Sequence, residues 1–286
     1  MFAGTRYIAN GESIMASESW VVAGPQIIEI EAITSLRVQL AGGRVDVVAH
    51  DGPGARIEVH AVDGRPLEVS LSGDGELRVG YQFTLGGWDG FLEKFRNFSG
   101  KDKADVHLAV PREVHAKVGT VSADGLLAGI EQDASVSTVS GTLITDGTRG
   151  RLSANTVSGE IVVRDHRGDL KLNTVSGELA ASGELSLVQA NSVSGSLTFD
   201  VTSGTSSVTA TTVSGDVTVR LPEGKGVQVK GQSVSGRLVV DGEEYKGTTP
   251  GHRKVDLRTG DGACFVSSST VSGHLTVLRG AGTGVA

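Results

Sequence analysis

The sequence predicts an all-β fold: a single-chain β-solenoid (β-helix) of coils about 18 residues long, with an irregular β-rich N-terminal part and a short amphipathic capping helix. Three observations carry this. Gly supplies 41 of 286 residues while Phe, Tyr and Trp number only 7, 3 and 2, so the interior is built from Val, Ile, Leu and Ala and the chain turns often. Apolar residues recur at every second position over short runs, which is the period of a strand. Finally, the triplet Val-Ser-Gly begins at Val139, Val157, Val175, Val193, Val213, Val234 and Val271, one step after the variant Val121-Ser122-Ala123. The intervals from Val121 are 18, 18, 18, 18, 20, 21 and 37 residues, a repetition that marks stacked units.

Residues 1–19 read as a flexible N-terminal tail or an over-extended start, with Met15 a second candidate initiator. A β-rich region spans 20–119. Its alternating runs include Ile28-Glu29-Ile30, Leu36-Arg37-Val38, Val45-Asp46-Val47, Ile57-Glu58-Val59, Leu67-Glu68-Val69 and Leu77-Arg78-Val79, separated by turns such as Gly42-Gly43 and Asp63-Gly64. These are antiparallel strands or degenerate coils that hide an open edge of the stack. Residues 86–101 differ: Trp88, Phe91, Leu92, Phe95 and Phe98 fall three or four apart, with Asp89, Glu93, Lys94 and Arg96 among them. That spacing predicts a short helix that caps the stack or binds a partner; two basic residues opposed by two acidic ones make peripheral membrane contact weak.

The repeat solenoid is expected over 120–279. In the period Val157–Thr174, Ile161 and Val163 share one face and Leu170 and Leu172 another, on either side of a charged Gly turn. No helical stripe interrupts the pattern. One such coil cannot bury enough apolar surface to offset its conformational entropy, so stability must come from neighbouring coils stacked about 4.8 Å apart. The period admits two principal strands and a bend, or three sides. Gly141, Gly159, Gly177, Gly195, Gly215, Gly236 and Gly273 are expected at a bend, and Ser140, Ser158, Ser176, Ser194, Ser214, Ser235 and Ser272 in a hydrogen-bonded column along the axis. Val139 and its equivalents are expected to point inward. The long last interval contains Asp241–His252, read as an excursion loop. His274–Leu278 is the last strand signal before a flexible tail over 280–286, so the C-terminal coil is expected to present an open edge for self-association.

The chemistry-bearing residues point away from catalysis. A net charge of −7, spread evenly along the chain, gives no basic face for nucleic acid. The single Cys264 forms no intrachain disulfide framework and reads as a small buried hydrophobe. His50, His60, His107, His115, His166, His252 and His274 are scattered without zinc-ligand spacing, although His107 and His115 flank Pro111. Asp-Gly turns such as Asp74-Gly75 and Asp261-Gly262 lack the tandem pattern of calcium β-rolls. Gly224-Lys225-Gly226 lacks the upstream Gly of a phosphate loop. Glu160, Glu178 and Asp216 follow the repeat Gly, but Thr142, Ser196, Arg237 and His274 take that place elsewhere, as on a tolerant solvent face. No catalytic residue, cofactor or metal site is therefore expected. The chain has no run of about 18 apolar residues and no secretory pattern, giving a cytoplasmic expectation, with a cell-surface location by an unrecognised export route as the alternative.

The hexads Thr138–Leu143, Thr156–Ile161, Thr174–Leu179, Ser192–Leu197, Thr212–Val217, Ser233–Leu238 and Thr270–Leu275 resemble those of a bacterial β-strand-repeat family of candidate adhesins, domain of unknown function 4097. The resemblance is close over about 120–279 and looser from residue 20. It implies a noncatalytic scaffold and transfers no active-site residue. The expected function is a binding or scaffold protein whose strand faces present repeated side chains to a protein or glycan partner. The alternatives are a cytoplasmic self-associating protein resembling bactofilins and, least favoured, a carbohydrate-active β-helix enzyme.

Overall fold

A computed structural model describes residues 17–81, 102–245 and 253–280, and every regular element among them is a β-strand. The expected capping helix over 86–101, with Trp88, Phe91, Leu92, Phe95 and Phe98, lies outside the described residues. The chain divides into two units, 1–141 and 142–286.

The first unit contains β1 (Glu18–Val22), β2 (Gln26–Ile30), β3 (Ser35–Leu40), β4 (Gly42–His50), β5 (Ala55–Asp63), β6 (Leu67–Leu71), β7 (Glu76–Gly80), β8 (Lys103–Pro111), β9 (His115–Thr120), β10 (Asp124–Ala128) and β11 (Ala134–Thr138). One ladder runs β1, β6, β7, β3, β9, β11; the first two pairings are antiparallel and the rest parallel. A second runs β2, β5, β8, β4, β10, again antiparallel twice and then parallel. Both alternatives expected for this region are thus realised, with antiparallel strands laid against parallel coils. The coil β3–β4 precedes β7 and β8 in the chain but lies between them and β9–β10 in the stack.

The second unit contains β12 (Thr142–Asp146), β13 (Arg149–Thr156), β14 (Glu160–Thr174), β15 (Leu179–Ser192), β16 (Leu197–Val201), β17 (Ser206–Thr212), β18 (Val217–Leu221), β19 (Val227–Ser233), β20 (Leu238–Val240), β21 (Glu243–Tyr245), β22 (Arg253–Arg258), β23 (Cys264–Thr270) and β24 (Leu275–Arg279). Each coil has two strand segments; β14 supplies both segments of its coil, with register irregularities between Val163 and Asp169 where it turns. Pairing between successive coils is parallel, and the 18-residue period sets the register: Leu152 lies opposite Leu170 and Ile161 opposite Leu179.

The core follows from the alternation. Ile161, Leu179, Leu197, Val217, Leu275 and Leu238 form one buried column, and Leu152, Leu170, Val188, Val208, Val266 and Val229 another. Each fully buried aliphatic side chain contributes roughly 1.5–3 kcal/mol, and none needs an aromatic ring to fill the space. Cys264 is buried at the start of β23.

Two expectations are corrected at the C-terminal end. The last coil in the chain is not the last in the stack: β23 lies between β17 and β19, and β24 between β18 and β20. Both backbone edges of the C-terminal coil are therefore occupied, and it cannot serve as the edge for self-association. The segment read as an excursion loop, Asp241–His252, contains β21 and is followed by β22; these strands pair antiparallel with β20 and β19 and end the parallel ladders. Val255 of β22 is buried, and its Cγ1 lies 2.7 Å from where a Cβ on Gly231 would sit; the missing side chain admits the capping strand.

Candidate interaction surface

The repeat triplet forms a tight corner between the two segments of each coil. The residue before it, Thr138, Thr156, Thr174, Ser192, Thr212, Ser233 or Thr270, is buried. Its hydroxyl serves the corner's own backbone: Thr174 Oγ1 accepts the Gly177 N–H at 2.8 Å and donates to the Gly177 carbonyl at 3.1 Å. The same Gly N–H contact recurs at Gly141, Gly215, Gly236 and Gly273, from 2.8 to 3.0 Å. Buried backbone groups need such partners, which explains Thr or Ser at this point of every repeat.

Val and Ser then both face outward before Gly turns in. The expectation of inward valines is overturned: Val193, Val213, Val234 and Val271 are 49%, 50%, 42% and 51% exposed. Val139, Val157 and Val175 are half-buried. Two successive outward positions are needed to round the corner, so the inward place goes to the hydroxyl residue that can satisfy the backbone. Six of the seven serines bond to backbone rather than to one another. Ser140, Ser176, Ser194, Ser214, Ser272 and Ser235 each donate from Oγ to the carbonyl of a valine in the adjoining coil, at 3.2–3.4 Å. Ser158 is exposed and engaged in an interaction of its own. Gly159 is buried at its corner, as are the other repeat glycines. At Gly195 an added Cβ would lie 1.9 Å from the Gly177 carbonyl oxygen, so close backbone approach excludes any side chain.

Beside this corner the outer face of the ladder from β13 to β19 carries polar columns. Asn173 Nδ2 donates to Asn155 Oδ1 at 2.9 Å and Asn191 Nδ2 to Asn173 Oδ1 at 3.1 Å. Thr211, Ser269 and Gln232 continue that column in register. The next column runs Ser153, Lys171, Gln189, Thr209, Ser267 and Lys230. The asparagine ladder escaped the sequence reading, although its 18-residue spacing is the signal that would have found it. Around the corner, Glu160, Glu178 and Asp216 project outward with Ser196 and Arg237, while His274 is half-buried.

The titratable groups with clear shifts have structural partners. His166 is fully buried in the turn of β14, where Nδ1 lies 2.9 Å from Thr148 Oγ1 and Nε2 lies 3.2 Å from the Asp169 carbonyl; burial holds its pKa below the ordinary value. Asp102 accepts the Arg65 backbone N–H at 2.9 Å and its Nε at 2.8 Å, and these bonds lower its pKa. The same guanidinium lies 5.4 Å from the centre of the Tyr81 ring. This cluster borders a shallow depression with Val21, Pro66 and Glu68. His107 and His115 stand on different ladders, in β8 and β9, and are not brought together as a site. Among the described residues no group of three or more His, Cys, Asp or Glu is placed to hold a metal ion.

The profile of the family described as Toastrack DUF4097 matches residues 33–277. The chain belongs to that family. No curated protein matches it. The fold of this Toastrack chain is similar to that of a crystal structure of a candidate lipid-binding protein from Parabacteroides distasonis ATCC 8503, at TM-score 0.52 and 15% identity over 90% of this chain and 98% of that one. A candidate cell adhesion protein from Clostridium sporogenes ATCC 15579 aligns at TM-score 0.29 and 12% identity over 90% and 100% of the two chains. A candidate adhesin from Parabacteroides merdae ATCC 43184 aligns at TM-score 0.42 and 11% identity, covering 89% and 96%.

Proposed function

We propose that this Toastrack chain is a noncatalytic binding scaffold whose working surface is the outer face of the repeat ladder in its second unit. The observation that carries the reading is the amide column Asn155–Asn173–Asn191, hydrogen-bonded in register and flanked by rows of Ser, Thr, Gln and Lys. Identical donors and acceptors recur at one strand spacing, so an extended partner meets the same weak contact several times and avidity accumulates. A protein strand or a glycan chain satisfies that requirement. The groups with shifted pKa support a scaffold over catalysis, because His166 and Asp102 are committed to a turn and to an ion pair.

The test compares the full chain with a deletion of residues 157–192, which removes two 18-residue periods and joins equivalent corner positions. A bacterial glycan array and photocrosslinking on intact bacterial cells provide the readouts. Binding lost in the deletion while the circular dichroism remains that of β-structure supports the repeat face; equal binding by both proteins rejects it. Turnover of any glycan would reject the noncatalytic assignment. Cell fractionation with protease shaving assigns the compartment, and protection inside the cell is the outcome that fits the cytoplasmic reading.

A further inference from the structure

The antiparallel strands that end the ladders of each unit are built differently. At the C-terminal end the outermost strands carry charge: β22 bears Arg253, Lys254, Asp256 and Arg258, and β21 is only 3 residues long with Glu243 and Glu244. These are the ordinary devices by which a sheet edge refuses another strand. In the first unit, β1 and β2 end their ladders; each is 5 residues long and pairs on one edge, with β6 and β5, among the described residues. Their sequences, Glu-Ser-Trp-Val-Val and Gln-Ile-Ile-Glu-Ile, contain no Lys, Arg or Pro. Val21 and Ile27 are 72% and 56% exposed, the two highest values among the exposed large hydrophobic residues.

We propose that this edge pairs with the same edge of a second copy of the chain, β1 against β1 and β2 against β2, in antiparallel register about a two-fold axis. The edge is self-complementary. Centred on Trp20, the pairing sets Glu18 opposite Val22 and Ser19 opposite Val21 of the other copy; centred on Ile28, it sets Gln26 opposite Ile30 and Ile27 opposite Glu29. No glutamate meets a glutamate, and the aliphatic stem of Glu29 covers Ile27. Like charges directly opposite are the usual veto on strand pairing, and here that veto is absent. The contact is isologous and closes on itself, so it makes dimers and not filaments. Five residues on each of two strands bury roughly 700 Å² in total, below the range of permanent interfaces, so the dimer is reversible and concentration-dependent. This inference is independent of the repeat face.

The experiment is sedimentation equilibrium of the full chain from low micromolar to near-millimolar concentration. A monomer–dimer equilibrium is expected. Ile27→Glu places like charges opposite each other and is expected to weaken association by about tenfold or more. Adding Glu29→Lys to Ile27→Glu restores an opposite-charge pair across the two-fold and is expected to recover most of the affinity, a rescue that mere unfolding would not show. Lys254→Glu in β22 is expected to leave the equilibrium unchanged. A chain that stays monomeric throughout, an Ile27→Glu variant that dimerises like the parent, or a double variant without recovery would each overturn the proposal.

Discussion

Replacing Gly195 by Ala tests the corner geometry directly. The new Cβ would stand 1.9 Å from the Gly177 carbonyl oxygen and 3.1 Å from Thr174 Cγ2, so the two coils must separate by more than about 1 Å at a point where nothing flexible can yield. The backbone bond from Ser194 N–H to the Val175 carbonyl, 2.8 Å long, and that from Leu179 N–H to the Ser196 carbonyl, 3.1 Å long, lie on either side of the strain. Weakening both costs about 1 kcal/mol each, and overpacking between the Leu179 and Leu197 layers adds roughly 1–3 kcal/mol. The expected loss is therefore about 3–5 kcal/mol, against the roughly 5–15 kcal/mol that holds a typical domain together. Urea unfolding followed by circular dichroism reads it as a midpoint lowered by roughly 1–3 M. Ser194→Ala is the control: it removes a 3.3 Å exposed bond to a carbonyl that keeps its backbone donor, and should cost under about 0.5 kcal/mol. If Gly195→Ala unfolds within about 0.5 kcal/mol of the parent, the bend is not a close backbone approach and the account of the glycine column fails.

Thr174→Val keeps the shape of a buried corner side chain but strips the Gly177 N–H and carbonyl of the hydroxyl they share; a loss of about 1–3 kcal/mol in urea is expected, while Thr174→Ser should lose less. His166 has a folded pKa below its ordinary value, so the unfolded chain takes up the proton first as pH falls. Stability is full above about pH 6.5 and declines as pH drops from there toward the folded pKa, by at most about 1.4 kcal/mol per pH unit. His166→Gln should remove that component, and identical pH profiles for the two proteins would refute it. The stacking order is testable by cysteine pairs. Thr211→Cys with Ser269→Cys places neighbours in register and should form a disulfide, whereas Thr211→Cys with Gln232→Cys lies about two strand spacings apart and should not.

Much of the fold is legible because a period of 18 residues leaves little choice once every second residue is apolar. Leu152, Leu170 and Val188, or Ile161, Leu179 and Leu197, can align only in parallel register with their neighbours. Asn155, Asn173 and Asn191 share the period of the core, so the signal for the polar column was present in the sequence although it was not read there. The corner is less legible. Hydrophobicity places Val inside and Thr outside, but in the structure a buried hydroxyl is worth more there than a buried isopropyl group, because two backbone groups of the following Gly have no other partner. A sequence scale that scores residues singly cannot register that exchange.

The sequence by itself therefore determined the repeat unit: its strand period, its register, the glycine corners and the identity of the aliphatic core, all of which depend on residues close together in the chain or spaced at one constant interval. The tertiary structure alone decided the order of the coils and the nature of the ends. Coils of nearly identical sequence offer nearly identical edges, so nothing local specifies whether the coil of Val213 is followed in space by that of Val234 or that of Val271. The choice goes to Val271 because β21 and β22, which follow Val234, fold back antiparallel onto β20 and β19 and occupy their far edges. Burying Val255 over Gly231 is a contact made only once the stack exists.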